Sequence, residues 1–287
     1  MIKVSVIIPT YKDWDRLKLC IDALISQTYP QNNFEIIIIN NDPEKSNPPY
    51  NLPENIQLIS EDKPGSYAAR NRGIKHAKGD ILAFTDSDCI PEVNWLKNAL
   101  IYFESNQDIF YLGGQIEQFS NGETSEPVLL YQQVFSFNQE KNIIEKFFSV
   151  TANLFIRKEI IEMVGLFNEE LFSGGDYEFG NRVKKEGILL KFDQNIVVKH
   201  PVRSTIKDLI RKKKRTKGGA YDITKKRPSL KYVAACFLDP VIKSKLIPSN
   251  VKFNSKLKVL GISWMLKFSE LFEWLRLWIF NTKRLRQ

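Results

Sequence analysis

The chain has 287 residues, 43% hydrophobic and 26% charged, a balance that supports a sizeable core and excludes a disordered or collagen-like chain. Its three cysteines, Cys20, Cys89 and Cys236, fit no zinc or disulfide framework, which favours a reducing, cytoplasmic setting. The formal charge of +9 points to nucleic acid, anionic lipid or a phosphate-bearing substrate, and the run Arg211-Lys212-Lys213-Lys214-Arg215 with Lys217 makes it a local patch.

The β-branched run at residues 3–8, ended by Pro9, predicts a buried strand. The N-terminal stretch has no charged region, long apolar segment or small-residue cleavage site, so no signal peptide is expected. Asp15 is placed to cap a helix in which Leu17, Cys20, Ile21, Leu24 and Ile25 recur at helical spacing, until Thr28-Tyr29-Pro30 stops it. Residues 34–39 predict a second strand, 46–55 a loop, 56–60 a third strand, 66–76 a helix and 81–85 a fourth strand. This rhythm predicts an α/β, Rossmann-like, mostly parallel central sheet with flanking helices. Ligands bind beyond the carboxyl ends of such strands. That rule singles out Pro9-Thr10-Tyr11, Asn40-Asn41-Asp42 and Asp86-Ser87-Asp88, which should open onto one crevice.

Further along, residues 94–105 read as a helix, 111–119 as a strand, 147–157 as a strand or turn, and 158–164 as a short helix closed by Gly165. Gly174-Gly175-Asp176 precedes a helix at 177–185, and 188–199 reads as hairpin-like or extended, ending at His200. From Thr205 the pattern is helical, with a polar loop at 247–254.

Asp86 and Asp88, two residues apart after a buried strand, can aim at one hard divalent cation, Mg²⁺ or Mn²⁺, bridging them to a diphosphate. Two neighbouring carboxylates are costly to bury unless a cation neutralises them. Taken alone, Asp-x-Asp is equally the signature of a solvated turn.

The ordered series Pro9-Thr10-Tyr11, Gln27-Thr28-Tyr29-Pro30, the strand at 35–39, Ala69-Arg70-Asn71-Arg72-Gly73, Gly79-Asp80, Asp86-Ser87-Asp88-Cys89-Ile90-Pro91 and Trp95 closely resembles family 2 glycosyltransferases, which have the GT-A fold. The resemblance covers about residues 4–200. It implies that Thr10 and the Asn40-Asn41-Asp42 turn hold the nucleoside, with Pro9 and Tyr11 beside them. It places Arg70 near the base or pyrophosphate, Asp86 at the ribose or nucleotide, and Asp88 on the metal. Members often carry an aspartate pair where this chain has Asn40 and Asn41; asparagine both donates and accepts, so it can still pair with a uracil-like edge, and a UDP-sugar is the expected donor. The segment Phe172-Ser173-Gly174-Gly175-Asp176-Tyr177-Glu178-Phe179 resembles the acceptor-side motif, which makes Asp176 the general base, with Gly175 in place of the usual glutamate and Glu178 as fallback. A plain helix cap after a glycine turn is the competing reading of Asp176. His200 lies where GT-A enzymes can complete the metal shell, and equally where a hydrogen-bonded structural histidine would sit.

The expected activity is inverting, metal-dependent transfer of one hexosyl or N-acetylhexosaminyl unit to a glycan or lipid-linked hydroxyl, in surface polysaccharide synthesis. No Gln-x-x-Arg-Trp sequence is present, which favours single addition over polymerisation. The alternative is a catalytically inactive sugar-nucleotide or glycan binding module. A nucleotidyltransferase would carry a glycine-rich loop where this chain has Thr10-Tyr11-Lys12-Asp13-Trp14, and no nucleic-acid motif accompanies the basic run.

The expected organisation is a GT-A domain over 1–203, with a nucleotide half at 1–90 and an acceptor half at 91–203, then a basic, amphipathic helical extension over 204–287. Within that extension Lys267, Glu270, Glu273 and Arg276 interrupt an apolar run at helical spacing. Those charges argue against a spanning helix. They leave two alternatives: an interfacial helix in peripheral contact with the inner face of the cell membrane, or a helix packed against protein.

Overall fold

The computed structural model describes residues 3–120 and 122–280. Eight strands and ten helices alternate along them. The order is β1 (Val4–Thr10), α1 (Trp14–Ile25), β2 (Phe34–Asn40), β3 (Ile56–Ser60), α2 (Ser66–His76), β4 (Ile81–Phe84), β5 (Ile90–Pro91) and α3 (Trp95–Ser105). It continues with β6 (Tyr111–Phe119), α4 (Glu126–Phe135), α5 (Gln139–Lys146), β7 (Leu154–Arg157), α6 (Glu159–Val164), α7 (Gly175–Lys185) and β8 (Leu190–Pro201). Three long helices close it: α8 (Ile206–Thr224), α9 (Leu230–Lys243) and α10 (Phe253–Phe280).

The strands form one sheet in the order β3-β2-β1-β4-β7-β6-β8-β5. The expected parallel pairing holds for β3, β2, β1 and β4. Beyond them the sheet turns antiparallel, at β4–β7, β7–β6 and β5–β8. Every residue of β1 and β2 is buried, which is why both read as unbroken apolar runs. One face of the sheet packs Leu17, Cys20, Leu24, Trp95 and Phe103 from α1 and α3. The other packs Tyr67, Ala69 and Ile74 from α2 with Phe179 and Val183 from α7.

At the amino ends of β1 and β2, Glu35 is buried yet satisfied. It accepts hydrogen bonds from Ser5 Oγ (2.6 Å), the Lys78 amide (2.7 Å) and Gln57 Nε2 (2.9 Å). The Gly79 amide donates to Ser5 Oγ, and a Cβ at Gly79 would lie 2.6 Å from the Ser5 nitrogen. Glycine is what lets that turn close on the strand.

The described chain forms two compact units. The first takes in the chain up to Glu117, Phe137–Leu171 and Gly175–His200, and so holds the sheet. The second takes in Gln118–Ser136, Phe172–Gly174 and the chain from Pro201 onward. It is helical, and it includes α4, which lies within the stretch the sequence reading assigned to the acceptor half. Of the extension expected over 204–287, residues 281–287 lie outside the described residues.

In the second unit an apolar core takes Leu209 from α8 and Val259, Ile262 and Leu266 from α10, and a few charged side chains are enclosed beside it. Glu270 accepts from the Tyr232 hydroxyl (3.1 Å) and pairs with Lys213 (3.2 Å). Glu273 is 3% exposed and is held by Arg276. Lys217 lies 4.2 Å from the ring centres of both Tyr232 and Trp274, a doubled cation–π contact. The three cysteines are all buried, and burial pushes their thiols up in pKa.

Candidate active site

The site lies in the first unit, beyond the carboxyl ends of β1, β2 and β4. Past β4 the Thr85 hydroxyl donates to the Ala152 carbonyl, and the Cys89 amide closes a tight turn on Asp86. That turn projects Asp86 and Asp88 from one place. The β5–β8 register then pairs Ile90 with Lys199, which brings His200 back to the turn. His200 Nε2 lies 3.8 Å from Asp88 Oδ1, and its ring stands against Phe137. Ligand atoms of Asp86, Asp88, Cys89 and His200 all fall within 4.8 Å of one another. Two carboxylates and an imidazole suit Mg²⁺ or Mn²⁺; the Cys89 thiol, kept protonated by burial and by the Asp86 charge, is the odd donor in that set.

Arg70, on the buried side of α2, donates to Asp86 Oδ1 at 2.5 Å. It is 3% exposed, and its Nε has no hydrogen-bond partner. Thr10 Oγ1 at the end of β1 is likewise buried and without a partner. Such orphans are rare in interiors and costly to keep. Thr10 ends β1 and Arg70 reaches Asp86 from α2, so both orphans lie on the site's side of the sheet.

Asp176 enters from α7. Gly174 turns the chain with φ +83°, and Gly175 follows. A Cβ at Gly175 would come within 2.7 Å of the Tyr67 ring. The glycine therefore admits Tyr67, whose hydroxyl accepts from the Asp176 amide at 3.3 Å. Thr151 donates to the Asp176 carboxylate from its hydroxyl (3.3 Å) and its amide (3.5 Å). Burial raises the Asp176 pKa above the ordinary aspartate value; Arg70 opposes that rise and the Asp86 charge adds to it. A carboxylate held in that state is a better proton acceptor than one in water.

The residues expected from sequence divide into two groups. Arg70, Asp86, Asp88 and His200 converge, with Asp176 close enough to feel Arg70 and Asp86. Pro9 is buried in β1 and Tyr11 is 52% exposed. The asparagine turn is built differently. Asn41 Nδ2 donates to the Glu61 and Lys63 carbonyls, and its Oδ1 accepts from the Gly65 amide. Asp42 accepts from the Ser46 hydroxyl and from the Glu44 and Ser46 amides, contacts that lower its pKa. Both side chains are therefore committed to shaping their own loop and the entry to α2. Glu178 is held by Arg182 at 2.7 Å, and Arg182 also donates to the Val164 and Leu166 carbonyls. Glu178, the fallback base of the sequence reading, is thus engaged in an ion pair.

Several residues of the site went unread in the sequence. Arg16, on α1, bridges Asp13 (2.7 Å) and Asp88 (3.3 Å), and Ser87 donates to Asp13. Tyr67 and Thr151 hold Asp176. Asn153 ties the Thr151 turn to the Trp95 indole and to the Gln115 and Ile196 carbonyls. Trp95 begins α3 and Asn153 ends a short turn, so their pairing has no local signature.

A family model described as glycosyl transferase family 2 matches residues 5–165. A protein of Haloferax volcanii named glycosyltransferase AglE is 33% identical over 207 residues, covering 70% of this chain and 67% of its own. A protein of Methanococcus voltae is 29% identical over 226 residues, covering 72% of this chain and 70% of its own; it is named dolichyl N-acetyl-alpha-D-glucosaminyl phosphate 3-beta-D-2,3-diacetamido-2,3-dideoxy-beta-D-glucuronosyltransferase. Among solved structures, the mannosyltransferase PcManGT from Pyrobaculum calidifontis, in complex with GDP-Man and Mn²⁺, superposes with a TM-score of 0.64 at 14% identity. That match covers 98% of this chain and 88% of the other, and it speaks for the fold.

Proposed function

From the premise that the chain belongs to glycosyl transferase family 2 and is a glycosyltransferase, we propose that it moves a single hexosyl or N-acetylhexosaminyl unit from a nucleoside-diphosphate sugar, a UDP-sugar first among them, to a hydroxyl of a glycan or lipid-linked acceptor, with inversion. The observation that carries this reading is the convergence of Asp86, Asp88 and His200 within 4.8 Å, beside an Arg70 whose Nε lacks a partner. The Methanococcus voltae relative, whose name describes a dolichyl-linked sugar phosphate as acceptor, supports a lipid-linked acceptor.

Asp88, Asp86 and His200 are the residues that would hold Mn²⁺ or Mg²⁺. When bound, the ion supplies positive charge that stabilises the departing diphosphate. Arg70 adds a second, fixed positive charge on the same side and releases part of its hold on Asp86 to meet the phosphates. Thr10 offers its free hydroxyl to the nucleoside. Pro9, Tyr11, Asn41 and Asp42 contribute the shape and backbone of the crevice, since the side chains of Asn41 and Asp42 are engaged within their loop. Asp176 takes the proton from the acceptor hydroxyl as that oxygen attacks the anomeric carbon opposite the diphosphate. Thr151 and Tyr67 keep its carboxylate aimed while this happens. The ion pair that engages Glu178 with Arg182 supports a single displacement.

The test is a panel of nucleotide sugars assayed for diphosphate release with Mn²⁺ or with EDTA, followed by the anomeric configuration of the product. One accepted donor, metal dependence and an inverted product support the proposal. A retained configuration overturns the mechanism, and donor binding without release to any acceptor overturns the activity.

A further inference from the structure

The helical second unit has an apolar core of its own, yet it also encloses acidic side chains and leaves rows of apolar ones outside. On α10 the acidic residues Glu270 and Glu273 face α8 and the helix interior. Phe253, Leu257, Met265, Phe272 and Ile279 recur on the opposite side, and each is at least 47% exposed. On α9 the exposed side carries Leu230, Phe237, Leu238, Val241 and Ile242 at three- and four-residue spacing. The two stripes meet, because Phe237 packs edge-on against Phe268 at 5.1 Å and the Trp264 indole donates to the Phe237 carbonyl. More than half of the large hydrophobic side chains left exposed among the described residues lie between residues 230 and 280. A contiguous apolar patch of this kind marks an interaction surface.

The charges around the patch select its partner. Residues 225–258 carry nine lysines and arginines against one acidic residue, Asp239. Asp239 is itself bridged to Lys267 (3.2 Å) and Lys243 (3.7 Å). Lys231, Lys245, Lys252 and Lys258 stand exposed beside the apolar stripes. A second copy would bring this positive rim against an identical one, which repels; an anionic headgroup layer neutralises it. No helix among the described residues is long and apolar enough to cross a membrane, so the helices lie along the interface. We infer that the joined apolar face of α9 and α10, rimmed by Lys231, Lys245, Lys252 and Lys258, is a docking surface for an anionic lipid bilayer.

The inference deepens the lipid-linked acceptor reading of the proposed function, and it is tested without turnover. The full chain is floated with phosphatidylcholine vesicles containing roughly one-third phosphatidylglycerol, and with pure phosphatidylcholine. Binding to the anionic vesicles is expected, with little to the neutral ones and a decline as salt rises. The double variant Leu238→Ser, Ile242→Ser changes side chains that are 59% and 61% exposed, so it keeps its melting temperature and loses binding about tenfold or more. Replacing Lys231 and Lys245 by Gln is expected to weaken binding roughly fivefold per lysine. Wild type that stays unbound to anionic vesicles overturns the inference, as does a Leu238→Ser, Ile242→Ser variant that binds like wild type. A concentration-dependent dimer that dissociates in that same variant assigns the face to a second copy and overturns it equally. Because no donor is present, failure here is distinct from failure of the transfer reaction.

Discussion

The two ends of β1 and β2 treat buried polar groups in opposite ways. At the amino ends Glu35 is enclosed and every contact it makes is answered, by Ser5, Gln57 and the Lys78 amide. At the carboxyl ends Thr10 Oγ1 and Arg70 Nε are buried without partners, and Asp176 is held above its ordinary pKa by burial. The same two strands thus carry an amino end whose buried carboxylate is answered and a carboxyl end where two buried polar atoms lack partners beside the satisfied Asn40 and Asp42. Leaving a buried polar atom without a partner costs stability.

Substitutions at each end put the contrast at risk. The largest effect is expected from Asp88→Ala, which should lower metal-dependent diphosphate release on the order of 10³-fold with little change in melting temperature. A variant that unfolds would show Asp88 to be structural, and the contrast would fail. Asp176→Asn should lower turnover roughly 10²- to 10³-fold. With its pKa raised in the fold, Asp176 binds more protons folded than unfolded between its unfolded and folded values. Stability therefore falls as pH rises through that window, and the Asn variant should lose this slope. Wild-type turnover should rise with pH across a limb lying above the ordinary aspartate range, because the base works deprotonated. A limb at the ordinary aspartate value would remove the base assignment.

At the satisfied end, Glu35→Ala leaves Ser5, Gln57 and an amide without their acceptor. It should cost about 2–4 kcal/mol in denaturant unfolding while kcat per folded molecule stays unchanged. Thr10→Val sharpens the comparison from the other side. Removing an orphan hydroxyl should leave stability equal or raise it by about 1 kcal/mol, while calorimetry shows weaker binding of the nucleotide sugar. A clear loss of stability would mean that Thr10 was satisfied after all. The smallest effect is expected for Arg16→Ala. Arg16 is more than half exposed and pairs with Asp88, so its removal should tighten Mn²⁺ binding by no more than about fivefold. Weaker metal binding in that variant would show that Arg16 supports the site rather than competing for it.

What could be read from sequence follows from where information is local. Strands β1, β2 and β4 are buried on both faces, so their apolar runs and the turn residues after them mark both the elements and the crevice. Asp86 and Asp88 were legible because they sit two apart on one turn. His200 was legible as a candidate, and its approach to Asp88 rests on the β5–β8 register, which a two-residue strand cannot announce. Helices α4 and α5, of ten and eight residues, fell in a stretch the sequence left without elements, because short helices show too few repeats of their period. The direction of a side chain was the least legible property. Asn41 and Asp42 point into their own loop, and the charged stripe of α10 faces inward, where its spacing alone fits either side. Tyr67, Thr151 and Arg16 reach the site from separate elements, so no local pattern joins them.

The cysteines carry a practical consequence. All three thiols are enclosed and resist deprotonation, so maleimide reagents near neutral pH should leave the native chain unmodified. A single cysteine introduced at Ile242 would then be the one reactive handle. An environment-sensitive fluorophore attached there would report whether α9 meets lipid, in a protein whose own sulfur chemistry stays silent.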